Sequence, residues 1–253
     1  MKAPVIVLTE NLNMEPYASV LCYPKVSEAE LQGRLEELCE HGVTAVEFTG
    51  EASAFNMPVL GKGFVGIVVT IHLNGQKAAL KIRRIDADRL GLEHEAQMLA
   101  KANAVQVGPK LIGVSRNFLL MQLVDGCLLP RWLDMCKDKA QLRGVLSEVL
   151  AQCWRLDNAG LDHGELSKAP KHVIVDKQLK PWIVDFETAS VNRRTSNVTS
   201  VCQFLFTSRG TVTRMVAKVL GERNEEEIIW ALRLYKKDGT LENFNRVVNV
   251  CFV

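Results

Sequence analysis

LDHGELSKAPKHVIVDKQLKPWIVDFETAS, residues 161–190, is the stretch on which the reading of the fold turns. It opens on His163-Gly164-Glu165, passes through an apolar run, a turn and a second apolar run, and closes on Asp185-Phe186-Glu187. That order reads as loop, short hairpin, loop, with an acidic residue in each loop. A hairpin that brings two carboxylates together suits a reaction in which one handles a proton and the other holds a metal. Two surface loops with ordinary acids would look the same in isolation, so the flanking chain has to decide.

The chain has 253 residues, enough for one large domain or two lobes. Its 47% hydrophobic and 24% charged content is ordinary for a globular protein. A net charge of +2 and a pI of about 8.1 are too mild to indicate nucleic acid as the main partner. No apolar run approaches the ~20 residues of a membrane span. MKAPVIVL lacks the form of a secretory signal, and the expected location is the cytoplasm. Seven widely spaced cysteines (Cys22, Cys39, Cys127, Cys136, Cys153, Cys202 and Cys251) form no C-x-x-C pair, so they read as reduced thiols, mostly small core fillers.

Upstream of the decisive stretch, Val5–Leu8 reads as a strand. Ser27 and Glu30 form an S-x-x-E capping box with Val26 and Leu31 at staple positions, and Leu31, Leu35 and Leu38 follow at helical spacing to Gly42. Val43–Phe48 reads as a strand. Residues 1–57 therefore read as a small αβ module, with Gly50 and Pro58 bracketing its boundary; it buttresses the next lobe or carries a partner site. Gly61, Gly63 and Gly66 give G-x-G-x-x-G followed by the β-formers Ile67, Val68, Val69 and Ile71, not by a helix. That excludes the dinucleotide fingerprint and indicates a glycine-rich hairpin whose backbone can approach phosphates. Asn74-Gly75 signals a second hairpin turn. Lys81 lies between the core-facing Leu80 and Ile82, so its side chain takes the opposite sheet face, toward the glycine-rich hairpin. Asp86–Asn103 reads as a helix with Leu92, Ala96 and Leu99 on one face. Glu95 could reach Lys81 from it, with Glu93 as the rival partner. Leu111–Val114 and Phe118–Val124 read as strands, and Asp125-Gly126 as a connector between lobes, giving 58–124 and 125–253 as the two lobes.

The second lobe reads as helical. Asp138 caps a helix carrying Leu142, Val145, Leu146, Val149, Leu150, Cys153 and Leu156, ending at Gly160. Further helices are expected at 197–206, 211–220, 225–237 and 240–250. The fold class is α+β.

In this order the pieces resemble a protein-kinase-like fold over residues 58–206: a two-lobed fold with an antiparallel-sheet N-lobe, a helical C-lobe and an added N-terminal αβ module. His163-Gly164, followed by Glu165-Leu166-Ser167, is similar to the atypical branch. That branch includes the RIO kinases, the small kinases tied to tRNA modification and the aminoglycoside phosphotransferases. The H-G-E-L-S and D-F-E forms most resemble a predicted archaeal Ser/Thr protein kinase family. The resemblance implies ATP with Mg²⁺, or Mn²⁺ in its place, and a protein or small-molecule phosphate acceptor. It implies that Gly61, Gly63 and Gly66 cover the phosphates, and that Lys81 binds the α/β-phosphates while paired with Glu95. Met121 would back the adenine pocket, and Gln122, Leu123 and Val124 would offer backbone groups to the base. Glu165 would accept or orient the acceptor proton, and Asp185 would hold the metal.

Three positions depart from that pattern. Glu165 stands where Asp is usual, one methylene longer. His172 stands at the second metal-ligand position usually held by Asn, after Pro170 and two extra residues, and imidazole suits hard Mg²⁺ poorly. Glu187 replaces the Gly of D-F-G; it either supplies the oxygen ligand that His172 cannot, or pairs with Arg193 or Arg194. No A-P-E follows, so a long peptide-docking loop is missing. Thr195, Ser196 and Thr199 are candidate autophosphorylation sites. A nucleotide-binding pseudokinase and a small-molecule kinase stay open beside a Ser/Thr protein kinase.

Overall fold

The computed structural model describes residues 3–168 and 170–252. Met1 and Lys2 of the N-terminal tract, Ala169 of the decisive stretch, and Val253 lie outside the described residues. The fold is kinase-like and two-lobed, an antiparallel sheet in one unit and mostly helices in the other. The first unit comprises Met1–Gln97 with Lys110–Leu123, the second Met98–Pro109 with Val124–Val253.

The first unit holds β1 (Val5–Leu8), α1 (Tyr17–Leu21), α2 (Glu28–Glu40), β2 (Val43–Phe48), β3 (Ala52–Ala54), β4 (Met57–Val59), β5 (Gly61–Lys62), β6 (Gly66–Leu73) and β7 (Gln76–Arg83). The N-terminal turns of α3 (Glu93–Ala104), then β8 (Leu111–Val114) and β9 (Phe118–Gln122), complete it. Seven of these strands form one antiparallel sheet in the order β1-β2-β6-β7-β9-β8, with β5 added on β6. β1 and β2 thus continue the sheet that carries Lys81, while β3 and β4 pair as a separate hairpin. Alternation sorts its two faces. Ile67, Val69, Ile71, Leu80, Ile82, Phe118 and Leu120 enter one large core with Val46, Phe48 and Leu38. On the other face Leu119 packs against Leu92 and Ala96 of the α3 region.

Local chemistry sets these elements. Asn74 and Gly75 both take positive φ (50° and 75°), as a two-residue type I′ turn requires, and β6 and β7 pair from Leu73↔Gln76 to Gly66↔Arg83. Ser27 caps α2 by accepting from Glu30 N–H (3.3 Å), but the box is only half made. The Glu30 carboxylate instead takes the Arg34 guanidinium (2.9 Å). Arg34 is fully buried, and it also donates to Leu21 O (2.5 Å), Arg83 O (2.7 Å) and Asn117 Oδ1 (3.1 Å), tying α2 to the sheet. The helix expected from Asp86 starts later, at Glu93. Asp86 closes locally on Arg84 (2.7 and 2.9 Å), and Asp88 and Gly91 are weak helix formers. β9 ends at Gln122, two residues short of the strand expected to Val124.

The second unit contains β10 (Gly126–Leu128), α4 (Leu129–Met135), α5 (Lys139–Asn158), β11 (Val173–Asp176), β12 (Pro181–Ile183), α6 (Asn197–Cys202), α7 (Thr211–Leu220), α8 (Glu225–Lys237) and α9 (Leu241–Phe252). Asp138 caps α5 by accepting from Ala140 N–H and Gln141 N–H (2.7 and 3.0 Å). The α5 stripe is buried as its spacing predicts. Asn224 caps α8 in the same way. Gly126, read as a connector, instead opens a third strand beside β11. A Cβ there would lie 2.3 Å from Val175 O, so only glycine permits the pairing. Five of the seven thiols are buried in the cores.

Candidate active site

The first unit places Lys81 as the alternation predicts. Its ammonium lies 2.8 Å from Glu95 Oε2, and both residues are buried, 6% and 4% exposed. Glu95, not Glu93, is therefore the helix partner. By register, Lys81 shares a sheet face with Ala79, Leu119 and Met121. Gly66 lies over its stem: a Cβ there would stand 3.0 Å from Lys81 Cγ and 2.8 Å from Ile82 O. Gly63 N–H donates to Gly66 O (2.8 Å), closing the glycine-rich turn on β5–β6. Arg84 holds that turn by donating to Val65 O through its amide (2.8 Å) and to Gly63 O through its side chain (3.0 Å). Tyr23, from the N-terminal segment, presents its ring to both Lys62 Nζ (4.3 Å) and the Arg84 guanidinium (4.8 Å). Gln122 N–H donates to Lys110 O (2.8 Å) and Gln122 Oε1 accepts from Lys110 N–H (3.2 Å). Leu123 follows the end of β9.

In the second unit, β11 and β12 form the hairpin expected at the centre of residues 161–190. Asp176 shapes its turn, accepting from Gln178 N–H, Lys180 N–H and Trp182 Nε1–H (2.9, 2.9 and 2.8 Å). Val184 N–H donates to His172 O (3.0 Å), so the residues just outside the hairpin remain paired. The flanking loops join where Asp162 and Ser190 exchange backbone hydrogen bonds (2.9 and 2.8 Å). Gly164 has φ +91°, and a Cβ would meet the Arg193 guanidinium at 2.2 Å. Arg193 lies there because it donates to Asp162 Oδ2 (2.5 Å) and Thr188 O (2.7 Å), fastening one loop to the other.

These contacts set Glu165, His172 and Asp185 around one point of the second unit. His172 Nε2 lies 2.9 Å from Glu165 Oε2, and its Nδ1 lies 3.7 Å from Asp185 Oδ2. Asp185 holds φ +71°, an uncommon conformation for a non-glycine residue and one that concentrates at functional sites. Phe186, buried, anchors its loop against His163 (ring centroids 5.1 Å). His163 Nε2–H donates to Val184 O (3.0 Å), and burial pushes its imidazole down from 6.5 to about 4. Glu187 sits on the same loop, half-buried, and Val124 opens the second unit. The carboxylates of Asp185 and Glu187 are hard oxygen donors of the kind Mg²⁺ or Mn²⁺ takes.

The RIO domain model matches residues 71–201, just over half of the chain. The chain belongs to the RIO domain family. RIO domains are atypical protein kinase domains, so nucleotide binding follows from the family. The match includes Lys81, Glu95, Met121, Glu165, His172, Asp185 and Glu187, while Gly61, Gly63 and Gly66 precede it. The uncharacterized protein MJ1211 of Methanocaldococcus jannaschii is 29% identical over 100 residues, covering 40% of this chain and 83% of that relative. Among the described residues, no helix is long and apolar enough to cross a membrane.

Behind these loops a supporting layer escaped the sequence reading. Asp157, on α5, accepts from Asn197 N–H, Asn197 Nδ2–H and Tyr235 O–H (2.9, 2.8 and 3.0 Å). Asn197 passes this on, accepting from His163 N–H and donating to Leu161 O (2.8 Å each). Asp162 also accepts from Ser196 N–H (2.8 Å). Asp157 and Asn197 sit on helices read as core stripe and buried helix, and a polar residue on an apolar stripe was the only signal that could have singled them out.

Proposed function

We propose that this RIO-family chain is an ATP-dependent phosphotransferase, with a protein Ser or Thr hydroxyl as acceptor. The buried Lys81–Glu95 pair carries the reading. Two charges removed from water at 2.8 Å gain little net stability over apolar residues of similar volume. Their retention beneath a glycine that leaves the backbone bare is better explained by a cation held ready for phosphate oxygens. On this reading Gly61, Gly63 and Gly66 keep the hairpin backbone bare above the phosphates, Gly63 N–H being engaged by Gly66 O, and Lys81, oriented by Glu95, binds the α- and β-phosphates. Met121 lines the base site, with Leu123 and Val124 offering it backbone groups, since Gln122 N–H is engaged by Lys110 O. Glu165 orients the acceptor hydroxyl and takes its proton. Asp185, with Glu187, would hold a divalent cation that neutralises phosphate charge during transfer.

The test is ATP binding and radiolabelled phosphate transfer for the wild type beside Lys81→Ala, Glu165→Ala and Asp185→Ala. Transfer should fall by roughly 10²-fold or more in each variant, as on removal of a transition-state contact. Asp185→Ala should also abolish the metal dependence of nucleotide binding, and Glu187→Ala should weaken it. The replacement of the usual Asp by Glu165 and of the usual Asn by His172 favours a second reading, a pseudokinase; metal-dependent ATP binding with neither transfer nor hydrolysis would select it. Transfer to a metabolite but to no protein would make the acceptor a small molecule.

A further inference from the structure

Two departures of this chain from the kinase pattern meet in space. Glu165 is one methylene longer than the usual Asp, and His172 replaces the usual Asn; their side chains lie 2.9 Å apart, Nε2 to Oε2. A ring nitrogen at that distance from a carboxylate oxygen carries the proton, which assigns the Nε2–H tautomer. The other nitrogen, Nδ1, is buried and has no hydrogen-bond partner among the described residues. The backbone of His172 is fixed by Val184 N–H on its carbonyl (3.0 Å), and its ring is held at the edge by the His163 ring (centroids 5.4 Å) and at Nε2 by Glu165. His172 is only 8% exposed, so it has little freedom to turn away.

We propose that His172 is a positioning residue for Glu165 and not a metal ligand. The inference rests on the reading of Glu165 as the residue that meets the acceptor hydroxyl. A glutamate has one more rotatable bond than an aspartate, and a carboxylate displaced by about 1 Å can cost roughly 10²-fold in rate. The Nε2–H of His172 restrains that extra torsion by holding one carboxylate oxygen and leaving the other for the acceptor. Nδ1, 3.7 Å from Asp185 Oδ2, keeps its lone pair, but hard cations favour oxygen over imidazole nitrogen, and the Mn²⁺ measurement below decides its part. The two substitutions are therefore one compensated pair.

The experiment combines kinetics, metal binding and imidazole NMR on the full chain. His172→Ala should lower kcat by roughly 10- to 100-fold while KM for ATP stays within about twofold, and His172→Gln, which keeps a donor, should recover most of the loss. Glu165→Asp should also lose activity, and adding His172→Ala to it should cost little more, because the contact is already gone. Mn²⁺ affinity in the presence of a non-hydrolysable ATP analogue, followed by electron paramagnetic resonance, should not change in His172→Ala. Additive losses, or a Mn²⁺ affinity weakened about tenfold, would overturn the proposal. The nitrogen shifts of ¹⁵N-labelled His172 read the pair without any turnover. They should report a protonated Nε2 that moves on Glu165→Gln, and an unmoved signal would sink the pairing even in an active enzyme. A wild type that transfers no phosphate but shows the shift would instead defeat the phosphotransferase reading and leave the pair standing.

Discussion

His163 shows how much a single residue contributes to the loop it begins. Its imidazole is fully buried against Phe186 and His172, and burial holds it at about 4 against an ordinary 6.5. The unfolded chain therefore takes up a proton as pH falls through 6.5, while the folded chain does not until about 4. Stability attached to this residue is fully present above pH 6.5, falls between 6.5 and 4, and levels off below. At ~1.4 kcal/mol per pH unit the loss approaches about 3 kcal/mol. Urea midpoints at pH 7 and pH 4.5 should differ more in the wild type than in His163→Asn. An equal drop in both would show that the carboxylates alone account for the acid sensitivity.

At the scale of elements, the glycine-rich hairpin is restrained from outside itself. β5 contributes only two residues, and the turn between β5 and β6, Gly63-Phe64-Val65 with Phe64 exposed, has little packing of its own. Arg84 holds the turn by its carbonyls, and Tyr23 stacks on both Arg84 and Lys62. Two cation–π contacts at ~0.5–1 kcal/mol each restrain the hairpin without dominating the stability of its unit. Tyr23→Leu should therefore speed hydrogen exchange at the Gly63 and Arg84 amides by roughly 5- to 30-fold with little change in the unfolding midpoint. Tyr23→Phe, which keeps the ring, should behave as the wild type. Unchanged exchange in Tyr23→Leu would mean that Arg84 alone sets the turn.

At the scale of the whole chain, the first 57 residues supply β1, β2 and α2 to the sheet that carries Lys81. β2 pairs with β6, and Val46, Phe48 and Leu38 share a core with Val69, Ile71 and Leu80. A chain starting at residue 58 would leave residues 70–73 of β6 as an open edge and that core uncovered. It should bind a hydrophobic dye and aggregate, and lose ATP binding with the distortion of β6–β7. A soluble 58–253 chain with a cooperative unfolding transition would show instead that the N-terminal segment is an independent module.

Much of this architecture is written in local pattern. The alternation around Lys81 put it on the face away from Leu80 and Ile82, the helical register offered Glu95 as its partner, and Asn74-Gly75 placed the hairpin turn; each rests on a period or a turn type that a few neighbouring residues carry. The order of motifs from Gly61 to Glu187 likewise decided the family-level reading. Local pattern failed where a residue's partner is distant. The β10 pairing of Gly126, the Arg34 contacts that join α2 to Arg83 and Asn117, and the Asp157–Asn197–His163 chain each link segments tens of residues apart. The sequence by itself therefore determined which chemical groups this protein carries and in what order. Only the tertiary structure decided that His172 faces Glu165, because a side chain's partner depends on which backbone folds opposite it, and no period in the chain records that.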